Sequence, residues 1–222
     1  MSIKLFVQAI AKFLLGVVLV GLLIFPPAGF NYPQGWLLMG ILFVPMFIAG
    51  LFMMAKSPEL LKKRLSAREK EGEQQLVLKL SALMFIFGFV AAGLDHRFSW
   101  LPLPWWVSIA AAVLFLLAYV LYAEVLRENA YLSRTIEVQE GQKVVDTGLY
   151  GIVRHPMYMA TLLLFLAIPL VLGSLISFIF FLAYPAIIIA RLKNEEKVLE
   201  EGLVGYKEYK EKVKYRLIPF IW

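Results

Sequence analysis

The segment MATLLLFLAIPLVLGSLISFIFFLAYPAIIIA, residues 159–190, predicts how the chain returns on itself. Its two apolar parts, 159–172 and 175–190, are separated only by Gly173-Ser174. A turn this tight between two apolar runs is typical of an antiparallel helical hairpin. Pro169 and Pro185 are expected to bend the two helices, because a proline removes one backbone hydrogen bond from a helix. Residues at either end of the hairpin are therefore expected to lie on the same side of an apolar layer.

The whole chain has the composition of a protein that is embedded in a membrane. Of its 222 residues 61% are hydrophobic and 17% are charged, whereas soluble domains carry about 25% charged residues. Four more apolar segments, at 5–25, 36–55, 77–94 and 105–125, are long enough to cross a hydrocarbon core of about 30 Å. We therefore predict an all-α fold: a polytopic integral membrane helical bundle of about six transmembrane segments, the last two forming the hairpin. The whole chain, 1–222, is expected to be a single membrane domain.

The distribution of basic residues predicts the orientation of the bundle. Nineteen of the 22 lysines and arginines lie in 56–79, 126–157 and 191–222, on connections that share one side. By the positive-inside rule this side is cytoplasmic, so both termini are predicted there, in a cell inner membrane. The first half, 1–125, is then expected to contain four spans with a cytoplasmic connector at 56–76. The second half is expected to end in a cytoplasmic helical tail.

The sequence offers little for metal or thiol chemistry. It contains no cysteine, so a thiolate ligand, a disulfide and a cysteine nucleophile are excluded. Its two histidines, His96 and His155, are 59 positions apart and lack the spacing of a zinc motif. We therefore predict no metal site.

The first polar cluster precedes the hairpin and reads Gly148-Leu-Tyr-Gly-Ile-Val-Arg-His-Pro-Met-Tyr158. Pro156 suits the first turn of a helix, so a helix is expected to begin there. The N–H groups of that first turn favour an anionic group, and Arg154 adds positive charge. The glycines allow a sharp turn and a close approach of a ligand to the backbone. The alternative is that Arg154 and His155 only mark the membrane interface.

The second polar cluster, Arg191-Leu-Lys-Asn-Glu-Glu196, follows the hairpin. Paired acids are unexpected there, because a cytoplasmic membrane interface favours Lys and Arg. Arg191 and Glu195 are four residues apart, so an ordinary ion pair on one helix face is the alternative explanation. Because the hairpin returns the chain to the side it left, we expect the two clusters to lie together. Acids, a helix N-terminus, glycines and aromatic residues would then form a pocket for a zwitterionic, nucleoside-like ligand.

Spaced elements in the C-terminal half, 126–222, resemble the isoprenylcysteine carboxyl methyltransferase family and its bacterial relatives, which are related to the phospholipid methyltransferases. These elements are Thr147–Tyr158, Arg191–Glu196, and Gly205–Tyr209 with Leu217–Pro219. The resemblance implies a multi-helix membrane fold that binds S-adenosylmethionine without a Rossmann domain. It implies cofactor contacts from Gly148, Tyr150, Val153, Arg154, His155, Tyr158, Glu195 and Glu196. It also places Arg191 and Asn194 near the transfer site, as the catalytic candidates.

The resemblance predicts an S-adenosylmethionine-dependent membrane methyltransferase whose acceptor is a lipid-embedded small molecule or a prenylated group. Carboxyl O-methylation of an isoprenylcysteine-type substrate is the leading hypothesis, and it requires no covalent nucleophile. Methylation of a phospholipid amine or of a small thiol is the alternative within the same class. Membrane lipids are expected partners and nucleic acid is not.

Two hypotheses from other classes stay open. Sterol reductases resemble the same C-terminal elements and bind a nicotinamide dinucleotide there, so an NADPH-dependent membrane reductase is one of them. A non-enzymatic membrane scaffold, in which the motifs only mark helix ends, is the other.

Overall fold

The computed structural model describes residues 3–65, 72–129, 131–132 and 138–222. Apart from a short 3₁₀ turn at Gly148–Gly151, the regular structure within these ranges is α-helical. The helices described are α1 (Ile3–Ala28), α2 (Pro33–Lys56), α3 (Pro58–Leu65), α4 (Gly72–Phe98), α5 (Trp105–Glu128), α6 (Pro156–Val171), α7 (Leu175–Phe181), α8 (Ala183–Gly202) and α9 (Tyr206–Lys212).

Five stretches of helix among the described residues are long and apolar enough to cross a membrane. Four of them lie in α1, α2, α4 and α5, and the fifth, Leu175–Gly202, combines α7 and α8. Helix α6 is also apolar but has 16 residues, so it is about 24 Å long and shorter than a hydrocarbon core of about 30 Å. The predicted helical integral membrane bundle is confirmed, and the predicted hairpin corresponds to α6 followed by α7 and α8.

The turn of the hairpin is fixed by a buried carboxylate. Gly173 has a φ of +70°, a left-handed conformation that favours glycine. The Ser174 hydroxyl donates to the buried side chain of Asp95, whose other oxygen accepts the Leu101 N–H at 2.7 Å. The Leu103 N–H donates to the Gly173 carbonyl at 2.7 Å. These bonds join the end of α4, the loop before α5 and the turn, and we call this end of the bundle the turn end.

The second arm of the hairpin is interrupted at Leu182, between α7 and α8. Pro185 lies three residues beyond this break and has no N–H to donate to the carbonyl of Phe181, four residues before it. Because the Leu182 N–H still donates to the Phe178 carbonyl at 3.0 Å, the helix before the break is intact. The bend predicted at Pro185 is therefore present as a break just before it, whereas α6 continues past Pro169.

Small residues allow α5 and α6 to pack closely. Ala111 and Ala118 on α5 and Ala167 on α6 are buried in one core, and Ala160 on α6 is also fully buried. In lipid, where apolar surfaces gain little from leaving the solvent, close packing of small residues drives helix association. The large side chains of α1 and α2 lie mostly on the outer surface, as expected for helices that contact lipid.

The polar ends of the chain also form helices. Helix α3 covers the first part of the predicted connector 56–76, of which residues 66–71 lie outside the described part of the chain. Helix α8 extends beyond its apolar stretch to Gly202, and α9 follows it, so the C-terminal tail is helical as predicted.

Close packing between α1 and α4 provides a test of the fold. A methyl group added at Gly93 would lie 2.7 Å from the carbonyl oxygen of Ile24, a backbone atom that cannot rotate away. Because overpacking costs about 1–3 kcal/mol, we expect Gly93→Ala to lower the free energy of unfolding by about that amount, measured by thermal unfolding in detergent. Gly40→Ala on α2 is the matched control, since nothing lies within 4 Å of its added atom. Equal losses in the two variants would contradict this account of the interface.

Candidate functional site

The start of α6 and the end of α8 meet opposite the turn end, around an open pocket. The pocket contains about 840 Å³ of empty space, part of it open to solvent. We call this end of the bundle the pocket end. The lining residues are Asn129, Tyr131, Leu132, Gln142, Lys143, Val144, Val145, Tyr150, Arg154, His155, Met157, Tyr158, Arg191, Glu195, Leu199, Leu203, Tyr206 and Tyr209.

The Tyr158 hydroxyl joins the two polar clusters across the pocket. It accepts a hydrogen bond from Arg191 Nε at 3.1 Å and donates to a carboxylate oxygen of Glu195. Tyr158 lies in the first turn of α6, which begins at Pro156 as the sequence predicts. Arg191 and Glu195 are one turn apart on α8, so both reach the same hydroxyl. The structure therefore brings the two clusters together.

Glu196 lies behind the pocket in a buried charge network. Its Oε1 atom accepts a hydrogen bond from Arg154 Nε at 2.7 Å and lies 3.2 Å from His155 Nε2. Its Oε2 atom accepts from Arg216 Nε at 3.0 Å. The side chains of Glu196, Arg154 and His155 are all more than nine-tenths buried. Since a buried carboxylate is tolerated only when it is paired and hydrogen-bonded, this network binds α8, the start of α6 and the tail to one another.

Residues 213–216, which we call the strap, hold the same part of the pocket wall through their carbonyl groups. Arg154 Nη1 donates to two strap carbonyls, at 2.8 and 2.9 Å. The backbone N–H groups of Arg154 and His155 donate to two more, both at 2.9 Å. These four carbonyls belong, in order, to Val213, Lys214, Tyr215 and Arg216. The tail thus fixes both the side chain and the backbone of residues that line the pocket.

The loop before α6 is shaped by Gly148 and Glu128. Gly148 has a φ of +52°, and a methyl group added to it would lie 1.4 Å from a carboxylate oxygen of Glu128. The same side chain accepts the Leu149 N–H at 3.0 Å. On the other side of the loop, the Tyr209 hydroxyl donates to the Tyr150 carbonyl at 2.7 Å. The loop is therefore held between the end of α5 and α9.

The ten residues that the sequence interpretation placed at the site differ in their relation to the pocket. Those that line it are Tyr150, Arg154, His155, Tyr158, Arg191 and Glu195. Gly148 shapes the preceding loop, Val153 is completely buried, and Glu196 belongs to the network behind the wall. Asn194 has a buried Nδ2 atom without a hydrogen-bond partner in the described part of the chain.

Side chains of the tail complete the wall and were not among the predicted site residues. They are Leu199, Leu203, Tyr206 and Tyr209. The buried Tyr206 hydroxyl has no hydrogen-bond partner among the residues that the structure describes. Burial raises the pKa of Tyr206 well above its ordinary value and the nearby carboxylates of Glu196 and Glu195 raise it further, so this hydroxyl remains a hydrogen-bond donor. The sequence signal for this part of the wall is the pair Tyr206 and Tyr209, which are three positions apart and so lie on one face of a helix.

Burial also raises the pKa of Tyr209, with Tyr150 contributing. At the surface, the hydrogen bond from Lys212 lowers the pKa of the Asp146 carboxyl. This exposed pair joins the start of the loop to α9 at 2.7 Å.

The charge network makes a specific prediction for Glu196. Replacing it with alanine leaves Arg154 and His155 buried without their shared counter-charge, and removing one partner of a buried pair costs about 3–5 kcal/mol. We expect Glu196→Ala to lower the free energy of unfolding by about that amount in thermal unfolding. Glu200→Ala, which removes a partly exposed pair with Lys210, is the control and should cost about 0–1 kcal/mol. The network would not have the role described if both variants unfolded alike.

Comparisons with known proteins identify relatives of this chain. Residues 106–203, which include most of α5 and all of α6, α7 and α8, match the family model described as phospholipid methyltransferase. The chain is 27% identical to the uncharacterized protein YpbQ of Bacillus subtilis (strain 168) over 167 residues, 75% of this chain and 96% of YpbQ. It is 31% identical to the Delta(14)-sterol reductase TM7SF2 of Mus musculus over 91 residues, 40% of this chain but 22% of the reductase.

The fold has a counterpart among solved structures. The eukaryotic intramembrane Ras methyltransferase ICMT, an isoprenylcysteine carboxyl methyltransferase, matches with a TM-score of 0.58 at 20% identity, over 96% of this chain and 77% of that one. The resemblance inferred from the sequence motifs is thus confirmed: the chain has the fold of this methyltransferase, and its residues 106–203 match the phospholipid methyltransferase family, which supports a membrane methyltransferase of this type.

Proposed function

We propose that this chain transfers a methyl group from S-adenosylmethionine to a lipidic or amphipathic acceptor, and that it does so at the cytoplasmic face of a cell inner membrane. The observation that carries the proposal is the pocket in which Tyr158 joins Arg191 and Glu195. This pocket contains both signs of charge, is open to solvent and is built on the ends of apolar helices. A water-soluble donor and a lipid-embedded acceptor require such a position.

The residues of the pocket suit a zwitterionic nucleoside. Glu195 offers a carboxylate for an ammonium group, and Lys143 offers a cation for a carboxylate. Tyr206 contributes a buried hydroxyl that lacks a partner in the described ranges, and an unsatisfied buried donor costs about 1–3 kcal/mol until a ligand supplies the acceptor. Leu199 and Leu203 give the same wall an apolar surface against which an aromatic base can pack.

Arg191 is the residue that we assign to the acceptor. S-adenosylmethionine, when bound, supplies a methyl group on a positively charged sulfur that leaves as a neutral thioether. An acceptor carboxylate can attack this carbon directly, so the side chains need only hold it in line and exclude water. The Arg191 guanidinium, positioned by its bond to Tyr158, is suited to hold a carboxylate. Asn194, the other catalytic candidate, lies three residues further along α8 and has a buried Nδ2 that is unpaired in the described part of the chain, but it does not line the pocket.

An isoprenylcysteine-type carboxylate is the acceptor that we favour. The short helix α6 supports an acceptor from the bilayer, because a helix of about 24 Å brings the pocket close to the hydrocarbon core. An amine or a thiol acceptor has to lose a proton, and Glu195 would be the base for it. The name of the matching family suggests methylation of a phospholipid amine. In that reaction Glu195 would act as the base in addition to binding the ammonium group of the cofactor.

An NADPH-dependent reductase is the alternative from another class, and the partial match to a sterol reductase favours it. NADPH carries three phosphate groups and no ammonium group. The carboxylate of Glu195 in the pocket suits the amino-acid part of S-adenosylmethionine better than a dinucleotide phosphate.

Ligand binding and product analysis test the proposed function together. Purified protein in lipid nanodiscs should bind S-adenosylhomocysteine more tightly than NADPH, and should transfer labelled methyl groups to prenylcysteine analogues rather than to phospholipid amines. We expect Glu195→Gln to weaken S-adenosylhomocysteine binding about 10- to 100-fold, because a hydrogen bond to a charged group contributes about 1.5–3 kcal/mol. Glu200→Gln on the same helix is the control. Tight NADPH binding without S-adenosylhomocysteine binding would disprove the proposal.

The two tail tyrosines separate ligand binding from folding. The Tyr206 hydroxyl has no partner in the described ranges, so Tyr206→Phe should weaken S-adenosylhomocysteine binding about tenfold and leave the melting temperature of the ligand-free protein unchanged or raised. The Tyr209 hydroxyl is already bonded to Tyr150, so Tyr209→Phe should lower the free energy of unfolding by about 0.5–1.5 kcal/mol. Isothermal titration and thermal unfolding measure the two effects. A Tyr206→Phe variant that melts lower but binds normally would contradict the ligand role.

A further inference from the structure

The last six residues, 217–222, form a closed turn that we call the terminal loop. The N–H groups of Leu217 and Ile218 both donate to the Trp222 carbonyl at 2.9 Å, and the Trp222 N–H donates to the Ile218 carbonyl at 3.1 Å. Leu217 is buried in the core formed by the membrane helices, and Trp222 packs against that core. The loop is therefore an ordered element seated on the transmembrane bundle.

Two large apolar side chains of this loop point away from the protein. Phe220 is 82% exposed and Ile221 is 77% exposed. Phe220 also has a φ of +65°, a left-handed conformation that a bulky residue rarely adopts. Such a conformation persists only where the surrounding structure imposes it. Here the terminal loop imposes it, and the Phe220 ring is directed outward as a result. Exposing two adjacent large apolar side chains to water is unfavourable, so this arrangement favours an apolar environment.

The neighbouring side chains identify that environment as the bilayer interface. The Arg216 guanidinium lies over the Trp222 ring, 5.4 Å from its centre, and the rings of Tyr215 and Phe220 meet edge to face at 5.5 Å. Arginine, tyrosine and tryptophan are the side chains that place an apolar body in lipid and a polar tip in water. Leu217 and Trp222 pack in or against the core of the membrane helices. Phe220 and Ile221, in the same loop, therefore lie next to the lipid-facing surface of these helices.

We propose that Phe220 and Ile221 insert into the bilayer interface and thereby hold the strap, residues 213–216, against Arg154 and His155. The strap ends where the terminal loop begins, so a loop anchored in lipid restrains all four of the carbonyls that bond these two residues. The interface thus contributes to the order of the pocket wall. This proposal does not depend on which ligand the pocket binds.

Spin labelling tests the insertion, and the absence of native cysteine makes single-site labelling direct. Phe220→Cys and Ile221→Cys, each carrying a nitroxide in proteoliposomes, should collide more often with oxygen than with a water-soluble nickel chelate. Val204→Cys is the control, because this side chain is 94% exposed on the connection between α8 and α9 and should favour the nickel chelate. Labels at 220 and 221 that behave like the label at 204 would overturn the proposal. Labels shielded from both reagents would overturn it as well, since they would indicate a contact with protein.

Hydrogen exchange tests the link to the strap. The double variant Phe220→Ser with Ile221→Ser, in liposomes, should show several-fold faster exchange of the Arg154 and His155 amides, because both donate to strap carbonyls. Val204→Ser should leave their exchange unchanged. Exchange in the double variant equal to that of the unaltered protein would refute the link even if the loop lies in lipid.

Discussion

A carboxylate excluded from water is stable only if donors come to it, and Glu196 draws its donors from separate parts of the chain. Arg154 and His155 precede α6, Arg216 lies in the tail, and Glu196 itself is on α8. The hairpin brings these parts together, because it returns α8 to the level where α6 begins. The pocket is the space left in front of the junction, and because Arg154 and His155 belong to both, its shape depends on this charge balance.

The two ends of the bundle use polar groups in different ways. At the turn end, Asp95 is surrounded by bonds from Ser174 and Leu101 that close a loop and a turn. At the pocket end, Arg191 and Glu195 meet at one hydroxyl group and face open space. Between these ends the helices rely on small side chains and close contact, as helices in lipid do. The polar groups of the turn end are therefore structural, whereas the pocket end combines the buried Glu196 network with side chains that face the pocket.

The sequence predicted the features that local rules determine. The turn at Gly173-Ser174 and the helix start at Pro156 follow from residue type and spacing, and the convergence of the two clusters follows from the hairpin. Adjacent residues of a helix point about 100° apart, so only one of Glu195 and Glu196 can face the pocket directly. Spacing alone does not say which of the two does so. The answer depends on how α8 is rotated against α6, which is a property of the packed bundle.

The contribution of the tail could not be predicted for a similar reason. Tyr206 and Tyr209 reach the wall only because α8 continues past the membrane helices and the chain then turns at Gly205, whose φ is +85°. The segment 142–145 lines the pocket together with residues of α6, α8 and the tail that are distant from it in sequence. Periodicity and composition carry no information about such contacts.

The buried network also has a consequence for how sequences of this kind diverge. Positions 154, 155, 196 and 216 share one carboxylate, and residues within such a network usually interact by about 0.5–3 kcal/mol beyond the sum of their separate effects. A substitution at one of them changes which residues are acceptable at the other three. Substitutions at these four positions should therefore be correlated among related sequences. Substitutions at neighbouring exposed positions, such as 197 and 201, should be independent of one another.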